Sequence, residues 1–135
     1  MKIVIVSDTH GSRKNIENVC ECNPYADMLI HLGDVEDDAD YIEAIFDCPT
    51  HIVGGNNDFF SRLPREEEFE LEGHHIFITH GHAYYVSMGE AHLQEEARRR
   101  GADIVMYGHT HVPALTIDAD LVTLNPGSLT YPRQQ

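Results

Sequence analysis

Five short apolar runs in this chain each stop at residues able to hold a metal ion, and no other feature restricts the fold as much. "KIVIVSDTHG" leads to Asp8 and His10, "MLIHLGDVED" to Asp34, "HIVGGNNDF" to Asn56, Asn57 and Asp58, "HIFITHGHA" to His80 and His82, and "DIVMYGHTH" to His109 and His111. Runs this short, bounded by glycine and polar residues, read as strands buried on both faces, as in sheets covered by helices. Residues 2–7, 28–32 and 50–53 are three such strands, and helical spacing over 13–22 and 37–47 makes the first half a βαβαβ unit with parallel strands. The carboxyl ends of parallel strands share one edge of a sheet, which is where ligands bind in this architecture. Residues as distant in sequence as Asp8 and His111 can therefore meet.

The second half changes period. In "EEFELEGHHIFIT", Phe69 and Leu71 alternate with acids, "EGHH" supplies a turn, and Ile76, Phe77 and Ile78 return, which predicts a hairpin. A helix is expected over 89–100, a strand over 103–107, and a second, polar-tipped hairpin in "ALTIDADLVTLNPGS". The expected architecture is α/β: two sheets with helices outside, in one domain spanning 1–135, a length sufficient for a core without disulfide or metal staples.

Composition narrows the partners. No apolar run approaches the length of a signal-peptide core or a membrane span, so a cytoplasmic protein with no membrane contact is expected. Cys20, Cys22 and Cys48 are an odd set without zinc-knuckle spacing and read as reduced, packing thiols. Nine Lys and Arg against 23 Asp and Glu give a formal net charge of −14, which repels duplex nucleic acid. The cluster Arg98, Arg99 and Arg100, placed behind Glu90, Glu95 and Glu96 and stopped by Gly101, has the charge order of a helix C-terminus.

Seven residues form the strong ligand set: Asp8, His10, Asp34, Asn56, His80, His109 and His111. Imidazole with carboxylate suits Mn, Zn, Fe, Ni or Co, and with no thiolate in the set thiolate-only zinc chemistry is excluded. Seven ligands exceed the needs of one ion and suggest two divalent ions sharing a carboxylate. A pair about 3.5–4 Å apart is the usual device for displacement at phosphorus, where it activates a hydroxide and clamps the phosphoryl oxygens. Two ligand carboxylates against four metal charges leave the site cationic in an acidic protein, so a phosphate ester is drawn to it.

Asp8-x-His10, Gly33-Asp34, Gly55-Asn56-Asn57-Asp58, His80-Gly81-His82 and Gly108-His109-x-His111 together resemble the motif series of the calcineurin-like metallophosphoesterases. The chain length and the closing Asn125-Pro126-Gly127-Ser128 are similar to the small bacterial and archaeal phosphodiesterases of that family. The resemblance implies a two-sheet αββα sandwich. It implies a first ion held by Asp8, His10, Asp34 and His111, and a second held by Asp34, Asn56, His80 and His109, with Asp34 as the catalytic bridge. Manganese is the leading metal, with nickel, cobalt, iron and zinc as alternatives. A small phosphodiester is the expected substrate, attacked in line by a metal-bridging hydroxide. A phosphomonoesterase or nucleotidase of the same fold is the alternative, as is a protein-binding scaffold like the retromer subunit of this fold; a homo-oligomer is left open.

One position departs from the broader pattern: many members carry histidine after the metal-binding asparagine, where it assists the leaving group, and this chain has Asn57. His82, one residue past His80, is expected to contact substrate phosphate. His31 lies inside a strand and reads as a core residue or a support for the ligands. His74 and His75 read as solvated turn residues, and His51 and His92 as isolated. "DVEDDAD" is no EF-hand, because Ala39 stands where glycine is needed and Ile45 where the closing glutamate belongs. Asp37 or Asp38 is instead the expected N-cap of the next helix. Gly54 and Gly55 are expected to let the chain turn so that Asn56 reaches the metal. Loops 57–64 and 82–89 are expected to shape the substrate.

Overall fold

The computed structural model describes residues 1–58 and 61–133, so Phe59 and Phe60 of the expected 57–64 substrate loop lie outside the described residues. The chain forms β1 (Ile3–Val6), α1 (Arg13–Cys22), β2 (Met28–His31), α2 (Ala39–Ile45), β3 (Thr50–Ile52), β4 (Glu66–Leu71), β5 (His74–Thr79), α3 (Ala91–Arg99), β6 (Ile104–Met106), β7 (Ala114–Ile117) and β8 (Val122–Asn125). Strands β1, β2 and β3 make a three-stranded sheet in that order, parallel throughout, with Val6 beside His31 and His31 beside Ile52. The second sheet runs β4-β5-β6-β8-β7. Its centre is parallel, and its outer strands are antiparallel hairpin partners.

Period-two alternation sorts the apolar residues into three layers. Ile30, Leu32 and Val53 meet Ile76, Ile78 and Met106 between the sheets. On the outer face of the first sheet, Val6, Leu29 and Ile52 pack against Ile16, Ile42 and Phe46 of the helical layer. On that of the second, Phe77 and Val105 pack against Leu93 and Ala97 of α3. Burying each Val, Leu, Ile or Phe contributes roughly 1.5–3 kcal/mol, so this layering drives the αββα sandwich. It also explains why β1, β2, β5 and β6 read as apolar runs: both faces are covered.

Several boundaries differ from expectation. Helix α2 starts at Ala39, and Asp38 is its N-cap residue, but the Asp38 carboxylate caps no amide; it accepts from Arg13 Nε at 3.0 Å instead. His74 and His75 belong to β5, because the turn consists of Glu72 and Gly73 alone, both at positive φ as a two-residue hairpin requires. His75 there sits between Glu70 and Glu68, at 2.6 and 2.8 Å. His51 is not isolated either, since it stacks on Phe69 with 4.0 Å between ring centroids. Helix α3 ends with Arg98 and Arg99 in its last turn as expected, and Arg98 further binds Asp118 and Asp120 at the tip of the second hairpin.

Candidate metal centre

Strands β1, β2, β3, β5 and β6 all end at one edge of the sandwich, and the loops that follow them carry every expected ligand. The loops are tied to one another by backbone bonds, from Asp8 N to Gly33 O at 2.9 Å, His10 N to Asp34 O at 2.9 Å and Gly108 N to His80 O at 3.0 Å. Five of the seven candidate ligands have left-handed backbones: Asp8 (φ 55°), His10 (49°), Asp34 (58°), His109 (69°) and His111 (63°). That conformation costs a non-glycine residue of order 1–3 kcal/mol and persists where surrounding contacts over-determine it. Here it turns each side chain back over the sheet edge. Gly108 is required for a different reason: a Cβ there would lie 2.8 Å from Asp8 Oδ2 and collide with the Ser7 hydroxyl. Gly55 likewise leaves room for the Asp34 carboxylate. The expected role of Gly55 was a tight turn, and close approach is what the structure adds.

The side chains converge. Asp8 Oδ1 lies 3.4 Å from His111 Nε2, 3.7 Å from His80 Nε2 and 3.8 Å from His10 Nε2. Asp34 Oδ2 lies 3.4 Å from His80 Nε2 and 3.8 Å from His10 Nε2. His10 Nε2 and His111 Nε2 are 3.2 Å apart. His109 turns Nδ1 toward Asn56 Oδ1 at 3.1 Å and His80 Nε2 at 3.3 Å. Asp8, His10 and His111 form one group able to hold an ion, and Asp8, Asp34 and His80 another.

The outward nitrogens explain the inward ones. His10 Nδ1–H donates to Glu36 Oε2 at 2.8 Å, His80 Nδ1–H to Leu32 O at 2.7 Å and His111 Nδ1–H to Tyr131 O at 2.9 Å. Each bond fixes the tautomer that leaves a lone pair on Nε2, facing the cluster. Asp8 Oδ2 accepts from Ser7 Oγ at 2.6 Å and His109 N at 3.1 Å, whereas its buried Oδ1 has no hydrogen-bond partner among the described residues. A buried carboxylate oxygen facing three imidazole lone pairs is repulsive until a cation stands between them, so the donor set fits divalent metal.

Electrostatics agree. Burial pushes the Asp34 carboxyl up, but His80 and the backbone and side chain of Asn57 more than reverse this and hold it well below the usual carboxylate range. Burial pulls His80 down, and the Asp34 and Asp8 carboxylates outweigh it, so its imidazole is more basic than usual and an ion binding at Nε2 takes the place of a proton held there. His109 and His82 are shifted down by burial and by His80, which favours their neutral imidazoles.

The remaining expected residues are placed as follows. Asn57 does not face outward as a leaving-group position would; its N–H and Nδ2 donate to Asp34 Oδ1 and Oδ2 at 2.9 and 3.0 Å. His82 borders the cluster, with ring centroids 5.6 Å from His80 and 6.1 Å from His109, and its buried Nδ1 has no partner among the described residues. His31 is a fully buried support: Gly33 N donates to its Nδ1 at 3.1 Å, so its Nε2–H donates to Thr9 Oγ1 at 3.1 Å. It thereby links the loop of Asp34 to the loop of Asp8 and His10. Sequence reasoning gave no role to Asp58, which binds the backbone of the Asp34 loop, or to Ser128, whose Oγ donates to Asp8 O at 2.8 Å. The available signal for Asp58 was an acid directly behind the Gly-Asn turn.

Comparison with known proteins agrees with this geometry. Residues 1–135 match the family model of the calcineurin-like phosphoesterase superfamily domain. A probable metallophosphoesterase of Methanocaldococcus jannaschii is 34% identical over 98% of this chain and 70% of its own length. A phosphodiesterase of Escherichia coli K12 is 27% identical over 98% of this chain and 82% of its own. Among solved structures, a conserved protein of Streptococcus pneumoniae described as a predicted phosphoesterase superposes with a TM-score of 0.83 at 32% identity, covering 97% of this chain and 74% of that one. Vps29 of Entamoeba histolytica complexed with zinc shares the fold, with a TM-score of 0.82 at 21% identity over 99% of this chain and 78% of that one.

Proposed function

The chain belongs to the calcineurin-like phosphoesterase superfamily, and from that premise we infer that it hydrolyses small phosphodiesters with a dinuclear metal centre, acting in the cytoplasm. The observation that carries this reading is the buried Asp8 Oδ1, without a hydrogen-bond partner among the described residues, amid three inward imidazole nitrogens. Asp8, His10, Asp34 and His111 would hold one ion, and Asp34, Asn56, His80 and His109 the other, with manganese first among the candidate metals. When bound, such ions supply a nucleophilic water at neutral pH and neutralise charge on the phosphoryl oxygens.

The chain's own groups have distinct tasks. Asp34 is held unprotonated by Asn57 and His80, which suits a carboxylate shared between two cations. Glu36, Leu32 and Tyr131 orient the imidazoles of His10, His80 and His111. The partly exposed ring of His82, at the border of the cluster, would present an N–H to a substrate phosphoryl oxygen. Asn57 positions Asp34 and has no acidic proton to give a leaving group.

The diester preference draws on the E. coli relative and on Asn57; a phosphomonoesterase would use the same centre. A scaffold on this fold remains a distinct reading, and since a Vps29 also takes zinc, metal binding alone does not separate the two. Turnover does. The test is purification without chelator, metal quantification, and assay of a mono- and diester panel with Mn, Ni, Co, Zn or Mg added. Two ions per chain with diesters turned over faster than monoesters is expected. Two bound ions with no turnover of any ester would overturn the hydrolase reading.

A further inference from the structure

Tyr131 is an exposed aromatic residue to whose ring the proposed reaction gives no task. Its ring lies against two candidate ligands, with centroids 5.5 Å from His10 at a 56° tilt and 6.5 Å from His111 nearly parallel at 12°. Even so, Tyr131 is 59% exposed, so the rest of the ring is open to solvent. Tyr85, comparably exposed, packs on His92 instead.

The backbone around Tyr131 is held by several hydrogen bonds. Its N–H donates to Ser128 Oγ at 2.8 Å, its carbonyl accepts from His111 Nδ1 at 2.9 Å, and Arg133 N donates to His111 O at 2.8 Å. One residue earlier, Thr130 Oγ1 donates to Thr9 O at 2.7 Å. The ring is therefore presented at the cluster with its backbone conformation already fixed, which lowers the ordering cost of any contact it makes. Aromatic faces held in this way accept planar groups by stacking, without hydrogen-bond readout.

We propose that Tyr131 is a stacking platform for a planar arm of the substrate, a nucleobase or aryl ring, while the phosphoryl group sits at the Asp8–Asp34 cluster. The inference rests on the phosphoester reading and names its substrate class. His10 and His111 face the cluster with Nε2 and carry the Tyr131 ring at their flank, so an arm leaving the phosphate on that side meets the ring. His82 borders His80 and His109 instead. The organic arm is what a charge-only site cannot recognise, and in a protein of formal net charge −14 a neutral stacking contact adds affinity where the wider surface repels anions.

The experiment compares binding of thymidine 5′-monophosphate and methyl phosphate to manganese-loaded protein by calorimetry, for wild type, Tyr131→Phe and Tyr131→Ala, with bound metal quantified in each. Wild type and Tyr131→Phe should prefer the nucleotide. Tyr131→Ala should lose roughly 5- to 100-fold in nucleotide affinity, keep its affinity for methyl phosphate and keep its metal. Equal losses for both ligands, or lost metal, would show that the ring only supports His10 and His111 and overturn the proposal; so would a wild type with no nucleotide preference, or an alanine variant that keeps it. Wild type binding neither ligand while metal-loaded would overturn the phosphoester reading itself, and the proposal with it.

Discussion

The Asp58 carboxylate accepts the backbone N–H of Asp34 through Oδ2 at 2.8 Å, across 24 residues of sequence. The same oxygen takes Gly55 N at 2.8 Å and Val35 N at 3.3 Å, while Oδ1 takes Glu36 N at 2.7 Å. One buried anion thus satisfies amides on both the Asp34 loop and the Asn56 loop. Asp58→Asn puts an amide donor among donors, so about 2–4 kcal/mol of stability should be lost. Metal affinity should fall by at least ~10-fold, as is typical when a group that positions ligands is removed. Thermal denaturation and metal titration measure both, and unchanged metal affinity would refute the positioning role.

Asp34→Asn should weaken both metal sites and remove most activity, because it replaces one of only two carboxylates in the ligand set. His111→Ala should weaken mainly the site it shares with Asp8 and His10. Metal analysis distinguishes them, and two ions retained by the Asp34 variant would sink the bridging assignment. Added metal should also raise the melting temperature of apo wild type, since an ion that binds the folded state shifts unfolding by mass action.

His31 should make the metal-free protein acid-sensitive. Burial, with help from His80, pulls its imidazole down from 6.5 to about 3. The unfolded chain therefore takes up a proton that the folded one refuses. Stability from this group is complete above about pH 6.5 and drains away as pH falls toward 3, by roughly 1.4 kcal/mol per unit within that window. His31→Gln can keep both hydrogen bonds without titrating, so urea unfolding between pH 7.5 and 4.5 should give it a shallower dependence. Parallel curves for the two proteins would exclude His31 as the source.

Asn57 should leave the enzyme sensitive to its leaving group. General acids contribute roughly 10²–10⁴-fold to such steps, and the Asn57 amide, committed to Asp34, offers no proton. Activated aryl diesters should be cleaved far faster than alkyl diesters, with a steep dependence of rate on leaving-group pKa. His82→Gln should change that slope little. A flat dependence in wild type with chemistry rate-limiting, or a steepening on His82→Gln, would make His82 the acid.

The parallel βαβαβ unit of the first half, the two hairpins and the places of all seven candidate ligands at strand ends were legible in the residues alone. Each is a local matter: an apolar run covered on both faces has no polar interruption, and a ligand-bearing loop begins where the run stops. Even the two-ion expectation needed only a count of donors. What the residues could not disclose is which polar group answers which. Asp58 is an acid after a turn until the Asp34 loop folds over it, and Ser128 and Tyr131 reach Asp8 and His111 only through the closed sandwich. The same holds for Asn57, whose side chain serves Asp34 because the loop after β3 lies beside the loop after β2. Hydrogen bonds between loops depend on distances set by the packing of two sheets, and no spacing along one strand contains them. Sequence by itself therefore determined the elements and the donor types, and tertiary structure alone decided the tautomers, the left-handed turns and the partners that aim those donors at a common point.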